Sequence, residues 1–212
     1  MSGPERVAPD SAAKLCLEPL GITKMANVDI NDLVVRFTEK LDEQISQTPL
    51  QVLVLGPRMD AEEHGSVLRK HLYQRAKGFG AVVTGELRDL IRASKKAKGA
   101  GYNLCDYELD LANTVDAIVL IPASPGSFAE FGLFATTDEI CEKSIVLCDK
   151  EFSRDNSFVN KGTKRAYKQN NAEVHNINYL DLAGAWKLVK QFLEVRRSRK
   201  IARKRRIGTA AT

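Results

Sequence analysis

The feature that most constrains the fold is an alternation of short, continuously apolar runs with longer segments of helical periodicity. The strongest run, Ala-Ile-Val-Leu-Ile-Pro, covers residues 117–122, and the others lie at 51–57, 81–84, 144–148 and 174–177. Runs without polar alternation are typical of parallel strands that are buried on both faces. Strands that alternate with helices predict an α/β fold in which helices cover both faces of a parallel sheet. We expect four or five strands, with 117–122 at the centre and 174–177 at an edge.

Helices are expected before, between and after these strands. Apolar side chains at a 3.6-residue repeat predict an N-terminal helix over 29–46 and a long last helix that starts near Leu180 and carries Trp186 on its inward stripe. Further helices are expected at 61–77, 86–98, 103–113 and 127–142. This order predicts a Rossmann-like domain over 28–195, a flexible N-terminus over 1–27 and a basic C-terminal tail over 196–212.

Length and composition limit the classes of protein to consider. A chain of 212 residues with 43% hydrophobic content has room for one core. Because no apolar run approaches the roughly 20 residues of a membrane span and the N-terminus lacks a signal-peptide core, a cytoplasmic protein without membrane contact is expected. Cys16, Cys105, Cys141 and Cys148 form no CxxC pair and are expected as reduced core thiols. The three histidines lack chelating spacing, so neither a metal nor a cofactor is expected.

Eight positive charges with no acid among them lie close to the C-terminus. They are Arg196, Arg197, Arg199, Lys200, Arg203, Lys204, Arg205 and Arg206. The net charge of the chain is +5, so the rest of the sequence carries −3. Such a run can bind the phosphates of a nucleic acid through counterion release, and the absence of interleaved aromatic residues argues against base stacking. A solvated helix end that favours the C-terminal dipole is the alternative, and the pattern leaves both open.

Ligands of parallel α/β sheets bind beyond the carboxyl ends of the strands. Two predicted loops lie there, Gly56-Pro57-Arg58 and the segment from Ser124 to Glu130. Arg58 is a candidate phosphate ligand, with an ordinary exposed arginine as the alternative. Asp116, directly before the strongest strand, is a candidate partner for a ribose hydroxyl, although an acid at this position is more often a solvated turn residue.

The second loop combines a Pro-Gly turn with the start of a helix. Free backbone N–H groups and the helix dipole attract a phosphate or carboxylate at such a point. Gly126 would let a ligand approach the backbone, and the Ser127 hydroxyl would add a contact. Gly132 is expected to allow tight packing of the helix on a strand. Glu130 has a structural explanation beside any chemical one, because Ser127-x-x-Glu130 has the spacing of a capping box.

The segment Gly126-Ser127-Phe128-Ala129-Glu130-Phe131-Gly132 resembles the G-[ST]-x-x-E-x-G motif of nucleoside 2-deoxyribosyltransferases and the wider group of Rossmann-like N-glycosidases. The resemblance implies that Glu130 attacks the anomeric carbon, since a carboxylate stabilises an oxocarbenium-like transition state. Leu55-Gly56-Pro57 is similar to the pair that closes the first strand of that family. Ser124-Pro125 replaces the acidic residue with which these transferases read the nucleobase, so exchange of bases between nucleosides is not implied.

Over residues 50–195 the chain is also similar to the deoxyribosyltransferase-like effectors found beside bacterial retrons and in related phage-defence cassettes. The segments that carry this likeness are 54–57, 124–132, 157–162 and 179–186. It implies a toxin-like N-glycosidase that acts on a nucleotide or nucleoside, with NAD as one candidate. It also implies control by a partner that contains nucleic acid or a reverse transcriptase.

Relatives of this architecture often complete their site with a second subunit, so a homo-oligomer is expected. A second carboxylate would come from Glu86, Glu108 or a neighbouring subunit. Two other functions stay open. One is a nucleotide sensor that binds a ligand in the same cleft without chemistry, and the other is a nucleic-acid-binding accessory protein that acts through residues 196–206.

Overall fold

The computed structural model describes residues 30–84 and 103–209, except for the side chains of 205–209. The predictions for 1–27, for the basic stretch 86–98 and for the turn at 99–101 lie outside the described residues, as do those for Cys16 and Glu86. The chain divides into two compact units, Met1–Glu43 and Gln44–Thr212.

One parallel sheet of five strands forms the centre of the second unit, in the order β2-β1-β3-β4-β5. The strands are β1 (Leu50–Leu55), β2 (Gly80–Thr84), β3 (Ala117–Leu120), β4 (Ser144–Asp149) and β5 (Glu173–Ile177). All four residues of β3 are buried because the strand lies in the middle of the sheet. The prediction of an α/β fold with 117–122 at its centre and 174–177 at an edge is confirmed.

Seven α-helices accompany these strands within the described residues. They are α1 (Ile30–Gln47), α2 (His64–Ala76), α3 (Leu104–Thr114), α4 (Pro125–Phe134), α5 (Asp138–Glu142), α6 (Lys164–Gln169) and α7 (Leu182–Thr209). The predicted helix over 127–142 is two helices, because Thr137 adopts an extended conformation between α4 and α5. The domain boundary expected at residue 195 lies within α7. None of the described helices has the length and apolarity that a membrane crossing requires.

The helices bury both faces of the sheet. On one face, Leu68 and Leu72 of α2 join Val189 and Leu193 of α7 against the strands. On the other face, α3, α4, α5 and α6 contribute the buried side chains Ala112, Phe131, Ile140 and Tyr167. Trp186 packs edge-on against Phe79 with ring centroids 6.1 Å apart, so it is a packing residue of the first face, as expected. Each fully buried Leu or Ile contributes about 1.5–3 kcal/mol to folding.

Two packing expectations are wrong. Cys141 and Cys148 are buried, whereas Cys105 is exposed on α3 and is not a core thiol. Gly132, expected to pack tightly on a strand, is exposed, and a Cβ there would meet no atom within 4 Å. The reason is geometric: Phe131 points inward, and the next residue of a helix is rotated by about 100°.

Candidate functional site

The two loops selected from the sequence lie at the same end of the sheet, where the carboxyl ends of β1 and β3 meet. β1 and β3 are neighbours, and the chain leaves them on opposite faces: α2 follows β1 on one face, and α4 follows β3 on the other. This is the topological switch point at which ligands of doubly wound sheets bind. Leu55 pairs with Leu120, so Gly56 lies beside Ile121 where both strands end.

A cavity of about 470 Å³ opens at this edge. It lies between the start of α2, the turn after β3, the end of β4 and the segment 150–164. Its aromatic lining residues are Phe128, Phe152 and Tyr179, and its charged lining residues are Glu63, Asp149, Asp155 and Lys164, together with His64. The volume falls in the range of small-molecule sites, roughly 300–1,000 Å³.

A buried arginine holds the first loop. Arg69 of α2 is only 3% exposed and donates hydrogen bonds to the backbone carbonyls of Val54, Gly56 and Pro57. A Cβ on Gly56 would lie 3.2 Å from the Arg69 side chain and 3.1 Å from that of Ile121, which explains the glycine. Arg69 is not among the predicted site residues, although its position between Leu68 and Leu72 on the inward stripe of a helix is a visible signal in the sequence.

Arg58 points away from this arrangement. Its side chain is 75% exposed and forms an ion pair with Asp60 at 2.5 Å. It is not among the residues that line the cavity. The structure therefore brings Gly56 and Pro57 to the switch point and leaves Arg58 in solvent.

The start of α4 is held by two serines. Ser124 is the N-cap, and its hydroxyl accepts a hydrogen bond from the Ser127 N–H at 3.3 Å. The Ser127 hydroxyl is buried and accepts from the backbone N–H groups of Ala123 and Ser124 at 3.0 and 2.8 Å. The capping box is therefore Ser124 with Ser127, and the alternative in which Glu130 caps Ser127 is wrong. Pro125 at the first helical position fixes this start, because proline needs no N–H there.

Gly126 offers its backbone to this edge of the sheet. Its N–H has no hydrogen-bond partner among the described residues, and a Cβ at this position would meet nothing within 4 Å. The protein itself does not require glycine here. The Ser127 hydroxyl, by contrast, is already engaged in holding the turn.

Glu130 lies partly buried in the second turn of α4, with its Oε2 atom shielded from solvent. It is near Tyr167, whose ring stacks on Phe131 at a centroid distance of 4.8 Å. Burial raises the pKa of the Tyr167 phenol, and electrostatic interactions with Cys141 and Glu130 raise it further, so the phenol stays protonated. Phe128 lines the cavity but Glu130 does not, since two residues along a helix correspond to a rotation of about 200°.

Asp116 lies at the opposite, amino-terminal edge of the sheet. Its Oδ2 atom accepts a hydrogen bond from the Gln51 N–H at 2.8 Å and forms a salt bridge with the Lys200 ammonium at 2.7 Å. The structure does not bring Asp116 together with the two loops. Its partners give it a structural role in joining β1 to α7.

Half of the basic run contacts the folded body. Arg196 and Arg197 are buried; Arg196 donates to the carbonyls of Asp116 and Glu142, and Arg197 donates to that of Phe79 and stacks on its ring at 4.4 Å. Arg199 forms an ion pair with Glu142 at 3.6 Å, and Lys200 binds Asp116. Arg203 and Lys204 are exposed, and the side chains of Arg205 and Arg206 lie outside the described residues.

Other candidate groups are fewer. Glu108 on α3 is partly buried, and this burial raises its pKa, so it stays a candidate second carboxylate. In the part of the chain that the structure describes, no three His, Cys, Asp or Glu side chains lie close enough to hold a metal ion.

Comparison with known proteins identifies a family that this chain matches. Residues 65–209 match the family model described as "STM3845 retron effector protein". The Escherichia coli protein named "Retron Ec86 putative ribosyltransferase/DNA-binding protein" is 38% identical over 72 residues, which cover 34% of this chain and 24% of that protein. The Escherichia coli protein named "Retron Ec73 putative ribosyltransferase/DNA-binding protein" is 33% identical over 78 residues, which cover 36% of this chain and 25% of that protein. The similarity thus spans about a quarter of the length of these curated relatives.

Proposed function

The chain belongs to the STM3845 retron effector family, and on that premise we propose that it breaks the N-glycosidic bond of a nucleotide or nucleoside with Glu130 as the nucleophile. One observation carries the proposal: Ser124 and Ser127 provide the helix cap, while Glu130 lies in the next turn with a carboxylate oxygen shielded from solvent. The capping role that would explain this glutamate structurally belongs to other residues. The names of both Escherichia coli relatives include ribosyl transfer, which supports the same chemistry.

The reaction follows from the properties of a carboxylate. Glu130 attacks the anomeric carbon as the carbon–nitrogen bond breaks, and the base leaves with the bonding electrons and takes a proton from solvent or an acid. Water then hydrolyses the glycosyl ester, releases the sugar and restores the carboxylate. The unpartnered N–H of Gly126 at the start of α4 is suited to a phosphate of the substrate.

The test compares base release by the parent protein, Glu130→Gln and Glu139→Gln. Glu139 is an exposed glutamate of α5 and serves as the matched control. NAD and a panel of nucleosides and nucleotides are incubated with each protein, and released base is measured by chromatography. We expect Glu130→Gln to lower the rate by at least about a thousandfold. Its melting temperature should stay close to that of the parent because the cap of α4 is intact; a large fall would instead assign Glu130 a structural role.

A nucleotide sensor without chemistry is the second candidate. It is favoured by the position of Glu130 outside the lining of the cavity, because a ligand held there would lie on another side of α4. In that case nucleotides raise the melting temperature of the parent and of Glu130→Gln equally, and neither protein releases base.

Membership of a retron effector family supports a partner among the components of a retron, nucleic acid included. Arg203 and Lys204 are the described part of the basic run that is exposed to such a partner. We propose that residues 203–206 make this contact, whereas Arg196, Arg197, Arg199 and Lys200 hold α7 on the body.

A further inference from the structure

Lys164 is a buried cation in the wall of the cavity. It begins α6 and is only 6% exposed. Its ammonium donates a hydrogen bond to the side-chain oxygen of Asn176 on β5 at 2.9 Å. Transfer of an ammonium out of water is costly unless a negative charge compensates it. The source of that negative charge therefore determines the role of Lys164.

The described residues supply no such charge at hydrogen-bonding distance. Lys164 forms no ion pair with any of them, and Asn176 is neutral. Cys148 lies beside the ammonium, but burial raises the pKa of its thiol to about 11, so it is uncharged at neutral pH. Asp149 lines the same cavity, yet one of its oxygens accepts the Glu151 N–H at 3.0 Å instead.

We propose that Lys164 is the anion-binding residue of this cavity and that the ligand is a phosphorylated nucleotide rather than a free nucleoside. A lysine ammonium is a standard point charge for phosphate recognition. Phe128, Phe152 and Tyr179 provide apolar surface for the base in the same cavity. The carboxylates Glu63, Asp149 and Asp155 line the same cavity and can accept hydrogen bonds from base or ribose.

The identity of the nucleoside part rests on the proposed function, whereas the anion site rests on Lys164 alone. The probes are pairs of a nucleoside and its 5′-monophosphate for the four common bases, with binding measured by calorimetry on the full chain. In the parent, at least one monophosphate should bind about tenfold or more tightly than its nucleoside. Inorganic phosphate should weaken binding of the monophosphate and leave binding of the nucleoside unchanged.

Substitutions locate the effect. Lys164→Gln should remove the preference for the monophosphate, and Lys164→Arg should retain most of it. Lys168→Gln is the matched control, because Lys168 is an exposed lysine of the same helix outside the cavity lining, and it should behave as the parent. Should Lys164→Gln fail to fold, phosphate competition in the parent and the Lys164→Arg variant still decide the outcome.

The proposal is overturned if the parent shows no preference for any monophosphate, if no nucleotide binds at all, or if Lys164→Gln keeps the preference. Binding is also measured in the Glu130→Gln background, where no turnover is expected. A Lys164-dependent preference without base release by any protein would support the anion site and reject the glycosidase. Equal base release from nucleosides and nucleotides, without a preference in binding, would support the glycosidase and reject the anion site.

Discussion

Gly80 illustrates how a single residue can fix a strand. It begins β2 opposite Leu50 with a φ of 142°, in a region that L side chains rarely adopt. A Cβ at this position would overlap the carbonyl oxygen of Leu50. We expect Gly80→Ala to lower the free energy of unfolding by about 2 kcal/mol or more, measured by urea denaturation.

The control lies two residues away. A Cβ on Gly78 would meet no atom within 4 Å, and its φ is not positive. Gly78→Ala should therefore change the free energy of unfolding by less than about 1 kcal/mol. Equal effects of the two substitutions would show that backbone conformation at Gly80 does not limit the fold.

Side-chain partners of single residues are the least predictable level of this protein. The sequence selects Gly56, Gly126 and Glu130 as neighbours of strand ends, because strand periodicity locates those ends. It does not reveal that Asp116 binds Lys200, since the two lie 84 residues apart and only the folded chain joins them. The sequence does not predict the burial of Lys164 either, because a lysine in a polar segment shows no local sign of burial.

At the scale of elements, the start of α4 depends on two unequal serines. Ser127→Ala would leave the N–H groups of Ala123 and Ser124 without their acceptor. Ser124→Ala would leave only the Ser127 N–H without its acceptor, through a longer bond at 3.3 Å, and either substitution removes the contact between the two hydroxyls at 3.0 Å. We expect a loss of about 1–3 kcal/mol in the free energy of unfolding for Ser127→Ala and about 1 kcal/mol for Ser124→Ala. Urea denaturation of both variants measures the difference, and the opposite order would argue against this capping box.

Helix boundaries follow from the sequence only where one signal outweighs the others. The spacing Ser127-x-x-Glu130 predicts a start of α4 at Ser127, whereas the helix begins at Pro125, a residue favoured at the first helical position. For α7 the inward stripe of Val189 and Leu193 continues at helical spacing through Arg196 and Lys200. The charged composition of this continuation predicts a tail, although long charged side chains can be buried when backbone carbonyls accept their hydrogen bonds.

At the scale of the whole molecule, the basic run divides into a part that holds the fold and a part available to a partner. Two variants with equal loss of charge separate these roles. One replaces Arg196, Arg197, Arg199 and Lys200 by glutamine, and the other replaces Arg203, Lys204, Arg205 and Arg206 by glutamine. Both remove four positive charges, so a general electrostatic effect on the protein is the same in each.

The first variant should lose about 3 kcal/mol or more of stability, because the Asp116 carboxylate and four backbone carbonyls lose charged donors. The second should keep the stability of the parent. If residues 203–206 contact nucleic acid, the second variant should also bind single-stranded DNA with a weaker salt dependence, its log–log slope reduced by up to about three. Thermal melting and fluorescence titrations at several salt concentrations measure the two effects. An unchanged slope would reject the contact, and equal destabilisation by both variants would show that α7 is held along its whole length.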